Sequence, residues 1–147
     1  MINTYTMMNI KDNKIFIDTG AYLARFHKRD RMHEVSVKIW DILKTNTSII
    51  TYTTNHVIDE LATLLARRTS YDFSGTKLQE IYKSKYPIIF RPGKEDEKES
   101  VKIFYKYSDQ QISFTDCLSF VVMKKLEIKQ VFTFDKHFQY DGFAVIP

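Results

Sequence analysis

The sequence predicts an α/β domain of three layers, a central and mostly parallel sheet flanked on both faces by helices. Three observations predict it. Short β-branched or aromatic runs alternate with longer segments of helical pattern. Four glycines and three prolines are all that punctuate 147 residues, with no linker or repeat to divide them. Two apolar runs, Ile15-Phe16-Ile17 and Val131-Phe132-Thr133-Phe134, each end directly on an aspartate, as strands do where the carboxyl ends of a parallel sheet gather around a crevice.

In chain order, residues 1–12 read as a loose leader and 13–147 as one domain. The run Lys14 to Asp18 is the first strand, and a helix over 20–26 follows at once. A second helical pattern covers 32–44. The β-branched run Ser48 to Tyr52 is the second strand. Residues 54–68 then carry an apolar stripe of Val57, Ile58, Leu61, Leu64 and Leu65. A helix over 74–84 leads to a third strand at Tyr86 to Phe90. The helix over 95–107 starts on Glu95-Asp96-Glu97-Lys98-Glu99, acids that suit the positive end of its dipole. The helix over 115–126 is apolar almost all round and therefore buried. Strands at Gln130 to Phe134 and Phe143 to Ile146 complete the set.

Composition narrows the function classes. With 44% hydrophobic and 27% charged residues the chain is of globular type, and no run approaches the roughly 18 apolar residues of a membrane span. The first residues lack the charged and apolar regions of a secretory signal, so a cytoplasmic location is the expectation. Cys117 is the single cysteine, which excludes an internal disulfide and a thiolate zinc site. Lying among Leu118, Phe120 and Val121, it reads as a small buried hydrophobe. The net charge of +4 fits a polyanionic partner without requiring one.

Four acids fall where this topology converges. Asp18 and Asp135 end strands, Asp116 sits in the first turn of the buried helix, and Glu60 lies on the shoulder of the Val57–Leu65 stripe, with Asp59 turned to water. Each has a structural reading too. Asp18 suits the turn before the first helix, Asp116 suits a capping box with Ser113, Asp135 suits a cap through His137, and Glu60 suits a half-exposed helix face. Held together, however, like charges raise one another's pKa unless a cation sits among them. Oxygen ligands without His or Cys favour Mg²⁺ or Mn²⁺.

At these residues the chain resembles the PIN-domain nucleases, and more narrowly the VapC-like toxins of toxin–antitoxin pairs. The matching stretches are "FIDTGAYLARF" at 16–26, "RDRMHEVSVKIW" at 29–40, "TNHVIDELATLL" at 54–65, "SFTDCLSFVVMKKLEIKQVFTFDKHF" at 113–138 and the closing "GFAVIP". The resemblance implies a PIN-like fold and metal-dependent endonucleolytic cleavage of RNA. Water is the implied nucleophile, leaving 5′-phosphate and 3′-hydroxyl ends. Asp18, Glu60, Asp116 and Asp135 correspond to the four metal-binding acids, the cofactor being Mg²⁺, with Mn²⁺ as the other candidate. Thr19 and Thr133 correspond to hydroxyl positions beside the first and fourth acids. Asp30 reads as an N-cap and His33 as structural. The partners implied are RNA, a small antitoxin protein and a second copy of the chain in a homodimer.

Basic residues near the acids are candidates for phosphate contact: Arg25, Lys28, Arg29 and Arg31 after Asp18, Lys124, Lys125 and Lys129 after the Asp116 helix, and Lys136 after Asp135. The histidines His27, His33, His56 and His137 form no ligand or triad spacing, and His56, four residues before Glu60, is the one expected near the site. Two alternatives stay open, a PIN-fold nuclease of RNA maturation and a non-catalytic PIN-fold interaction module.

Overall fold

A computed structural model describes residues 10–147. The elements are β1 (Lys14–Ile17), α1 (Thr19–Phe26), α2 (His33–Thr45), β2 (Ile50–Thr54), α3 (Asn55–Arg68), α4 (Tyr71–Lys83), β3 (Ile88–Phe90), α5 (Lys94–Lys106), α6 (Phe114–Lys125), β4 (Gln130–Phe132), α7 (His137–Tyr140) and β5 (Ala144–Ile146). The sheet order is β3-β2-β1-β4-β5, and every pairing is parallel. The first two crossovers run one way from β1 and the later ones the other. Right-handed crossovers then place α1–α4 on one face and α5–α7 on the opposite face. Packing agrees, with α1 on α2 and α3, α3 on α4, and α6 between α5 and α7.

Burial explains the strands. Ile15, Phe16 and Ile17 of the central strand are fully buried, as are Val131 and Phe132 beside them, because a sheet covered on both faces has no wet side. Each such side chain contributes about 1.5–3 kcal/mol through burial. An aromatic cluster locks each face: Tyr22, Trp40 and Phe132 on one, with Tyr22–Trp40 centroids 4.9 Å apart, and Phe120, Phe138 and Phe143 on the other, with Phe120–Phe138 at 5.0 Å edge to face. The Ser36 hydroxyl and the Trp40 indole N–H both donate to the Ala21 carbonyl, at 2.7 and 3.1 Å, and so set α2 against α1.

Helix starts follow their caps. Thr54, Ser70 and Ser113 accept from the backbone N–H of Val57, Phe73 and Asp116. The Gly93 N–H donates to Asp96 Oδ2 at 2.8 Å, and Lys125 holds the same buried carboxylate at 3.2 Å, so the acidic run opening α5 is anchored to α6.

Several boundaries differ from expectation. β2 runs to Thr54, two residues beyond Tyr52, because Thr54 both ends the strand and caps α3. α4 starts at Tyr71 through its Ser70 cap, and the four-residue α7 was not anticipated. Asp30 is not the N-cap of α2. Its carboxylate accepts from the Met32 N–H at 2.8 Å and its carbonyl from the His33 N–H at 3.0 Å, which closes a turn ahead of a helix capped at Met32. The His33 ring bonds the Ala24 carbonyl at 2.7 Å, a structural role. Of the leader expected over residues 1–12, residues 1–9 lie outside the described residues. Lys11 and Asp12 are not loose, since both backbone N–H groups donate to Gln130 Oε1 at 2.9 and 3.0 Å. Among the described residues, no helix is long and apolar enough to cross a membrane.

Candidate active site

The carboxyl ends of β1 and β4 lie side by side where the crossovers change direction. Ile17 pairs with Phe132, so the next residues, Asp18 and Thr133, leave the sheet in register. The buried Thr133 hydroxyl donates to Asp18 Oδ2 at 2.7 Å and accepts from the Asp135 N–H at 3.0 Å. One hydroxyl thus ties together two acids 117 positions apart.

The structural alternatives for the acids separate here. Asp18 precedes α1 but makes no side-chain cap, and its Oδ1 is buried without a hydrogen-bond partner. The N-terminus of α6 is capped by Ser113, which leaves the Asp116 carboxylate to face the cleft. Asp135 does cap its turn, accepting from the His137 N–H through Oδ1 at 2.9 Å, and turns Oδ2 toward the His137 ring. Glu60 is half-buried and lines the cleft from α3, while Asp59 is exposed. All four acids, with Thr19 and Thr133, line one open cleft of about 600 Å³.

Their charges are felt across it. Burial pushes Asp116 up to about 8, with the Asp18, Asp135 and Glu60 charges adding to it and Ser113 opposing. Burial likewise pushes Asp18 up to about 6 against the Thr133 hydroxyl and the Thr19 N–H, with Glu60 and Asp135 adding. Cys117 is no nucleophile, since burial first, and then the Asp116 and Asp141 charges, push its thiol up to about 11.

Both carboxyls ionise less readily in the folded chain than in the unfolded one. The stability they contribute is complete below the unfolded value of 3.8 and is lost as pH rises through about 6 and then about 8. One unit of opposed ionisation corresponds to about 1.4 kcal/mol, and 1 kcal/mol moves the midpoint of a domain this size by about 2–4 °C. The metal-free protein should therefore melt at least about 3 °C lower near pH 8.5 than near pH 5.5. Scanning calorimetry at the two pH values, with and without Mn²⁺, reads this directly, and Mn²⁺ should restore stability chiefly at the higher pH. Equal melting at both values, or a metal effect confined to the lower one, would contradict this picture of the cleft.

The donor set fits a hard divalent cation. Its oxygens are carboxylates and hydroxyls, Asp18 Oδ1 and Thr19 Oγ1 are buried without partners, and a cation would offset the mutual repulsion. The tightest grouping among the described residues is Asp116, Asp135 and His137, whose ligand atoms lie within 4.8 Å of one another. His137 was not expected at the site. His56, the histidine singled out for proximity, does not line the cleft.

The basic residues sort differently from expectation. Arg25 faces another cavity, of about 460 Å³, its guanidinium 4.6 Å over the Trp40 ring and 5.3 Å over Phe26. Helical spacing predicts this, because Tyr22, Arg25 and Phe26 share one face of α1. Lys124 pairs with Asp141 at 2.6 Å and Lys125 with Asp96, so both serve the fold. Lys28, Arg29 and Lys136 are exposed but do not line the cleft. The cations that do are Arg31 and Arg68. Arg68 was legible, since Glu60, Leu64 and Arg68 recur every four residues on α3.

Comparison with known proteins identifies the family and the fold. A PIN domain family model matches residues 15–141. Over 132 residues the chain is 26% identical to the 23S rRNA-specific endonuclease VapC20 of Mycobacterium tuberculosis, covering 90% of this chain and 97% of that one. The crystal structure of VapC20, described as a Sarcin-Ricin loop cleaving toxin, matches with a TM-score of 0.81 and 27% identity over 90% of this chain and 99% of that one. FitAcB from Neisseria gonorrhoeae shares the fold, with a TM-score of 0.63 and 18% identity over 90% of this chain and 96% of that one.

Proposed function

The chain belongs to the PIN-domain family, and from that premise we propose that it is a divalent-metal-dependent endoribonuclease, the toxin of a VapBC-type pair. The observation that carries this is the convergence of Asp18, Glu60, Asp116 and Asp135 on one cleft, with three of their charges opposing ionisation of Asp116.

Asp18, Glu60 and Asp116 would hold the cation, Mg²⁺ or Mn²⁺, and Asp135 would complete the site. The bound ion supplies positive charge to receive the phosphodiester, acidify a water and offset the charge on the leaving oxygen. Thr133 orients the Asp18 carboxylate and holds the Asp135 backbone through its two hydrogen bonds. Thr19, buried beside Asp18, offers its hydroxyl to the same space. Arg31 and Arg68 line the cleft where an RNA backbone would pass, and Lys28, Arg29 and Lys136 extend the positive surface beyond it. A small antitoxin presenting a cation to the acids would silence them by taking the metal's place, and a homodimer is the assembly we assign.

The similarity to VapC20 makes ribosomal RNA the first substrate to offer. Incubation of purified ribosomes and total RNA with the protein should give discrete fragments with Mg²⁺ or Mn²⁺ and none with chelator, and end mapping should find 5′-phosphates. Cleavage that persists in chelator, or 2′,3′-cyclic phosphate ends, would refute the mechanism.

A further inference from the structure

His137 lies against two of the acids, and the mechanism above leaves it unused. Its ring Nδ1 lies 3.1 Å from Asp135 Oδ2 and 3.7 Å from Asp116 Oδ2. The nitrogen is buried and has no hydrogen-bond partner, although the ring as a whole is about one-third exposed. Two neighbouring ligands on an octahedral ion with bonds near 2.1 Å stand about 3 Å apart. The His137–Asp135 spacing matches such an edge, and all three ligand atoms lie within 4.8 Å of one another, close enough to share one ion.

The ring is also fixed in place. The His137 N–H donates to Asp135 Oδ1 at 2.9 Å, and the next residue, Phe138, is buried edge to face against Phe120. Tyr140 flanks the imidazole, with centroids 6.1 Å apart and planes inclined by 31°. A single helical turn is thus anchored at both ends of the histidine, and its nitrogen points at the oxygens of two acids.

We propose that His137 Nδ1 is a direct ligand of the cation, shared with Asp116 and Asp135, and that this nitrogen selects Mn²⁺ over Mg²⁺. The proposal rests on the metal-dependent nuclease reading. Mg²⁺ is hard and keeps to oxygen and water, whereas an imidazole nitrogen favours first-row transition ions. A site of four acids alone would draw no such distinction. The nitrogen gives the cleft a preference that its carboxylates lack.

Mn²⁺ paramagnetic resonance on the full chain tests this without reference to cleavage. Bound Mn²⁺ should show a pulsed-resonance ¹⁴N coupling from a directly bonded imidazole. His137→Ala should abolish that coupling and weaken Mn²⁺ binding about tenfold, while Mg²⁺ binding, measured by competition, changes less than about threefold. His137→Gln, which restores bulk and an oxygen, should not bring the coupling back. Three outcomes overturn the proposal: bound Mn²⁺ with no ¹⁴N coupling, coupling that persists in His137→Ala, or an equal loss of both ions in that variant. If wild type binds no Mn²⁺ at all, the carboxylate site falls together with it. Binding without coupling removes the histidine ligand alone.

Discussion

Asp116→Asn is expected to lower RNA cleavage by at least about 10³-fold while the metal-free variant melts no lower than wild type. The residue sits at the start of α6, 6% exposed, with its backbone N–H already satisfied by Ser113. Its negative charge is opposed by burial and by three other acids, so the isosteric amide removes a repulsion and leaves the packing alone. Loss of a stabilising interaction is the usual result of changing a buried charge. Here the metal-free fold should be unharmed or improved, because that charge has no cationic partner except a bound ion or the nearby His137 ring. Cleavage assays and thermal unfolding of the same preparation check both halves. A variant that cuts normally would dismiss Asp116 from catalysis. One that is inactive and also much less stable would show that the carboxylate supports the fold instead.

Thr133→Val should reach nearly as far from a residue that carries no charge. The hydroxyl joins Asp18 to the backbone of Asp135 and is fully buried, so no water can replace it. Valine keeps the shape and strands both partners. Metal affinity should fall about 10–100-fold, the usual cost of losing a group that orients a ligand. Stability should fall by about 1–3 kcal/mol, the penalty for a buried polar group left unpaired. Thr133→Ser should retain most of both. Calorimetric metal titration and denaturant unfolding separate the two effects, and a valine variant with wild-type metal affinity would show that Asp18 needs no such tether.

The fold was largely legible because its strands are fully buried and its helices amphipathic, so period and apolar content pointed the same way. Errors gathered where one residue serves two elements. Thr54 is both the last residue of β2 and the cap of α3, and its place in the helical motif drew the strand two residues early. Ser70 caps α4, yet the polar start of that helix concealed it. The acids were readable because strand ends and helix starts are the positions a parallel sheet brings together. His137 was not readable. It belongs to a helix too short to show a period, and its direction depends on Phe138 reaching a core aromatic far away in sequence. Arg25 was misplaced because proximity in sequence was weighed above helical phase, which groups it with Tyr22 and Phe26.

The hydrogen bond between Thr133 and Asp18 spans 115 residues, and this has a consequence for biosynthesis. At about 5–20 residues per second on the ribosome, roughly 6–23 s separate the emergence of the two partners. Through that interval Asp18 lacks its Thr133 partner, and Asp135, which follows Thr133, is still absent from the cleft. A product interrupted before β4 has neither Thr133 nor Asp135 and cannot complete the acidic cleft, so the site is withheld until translation is nearly finished.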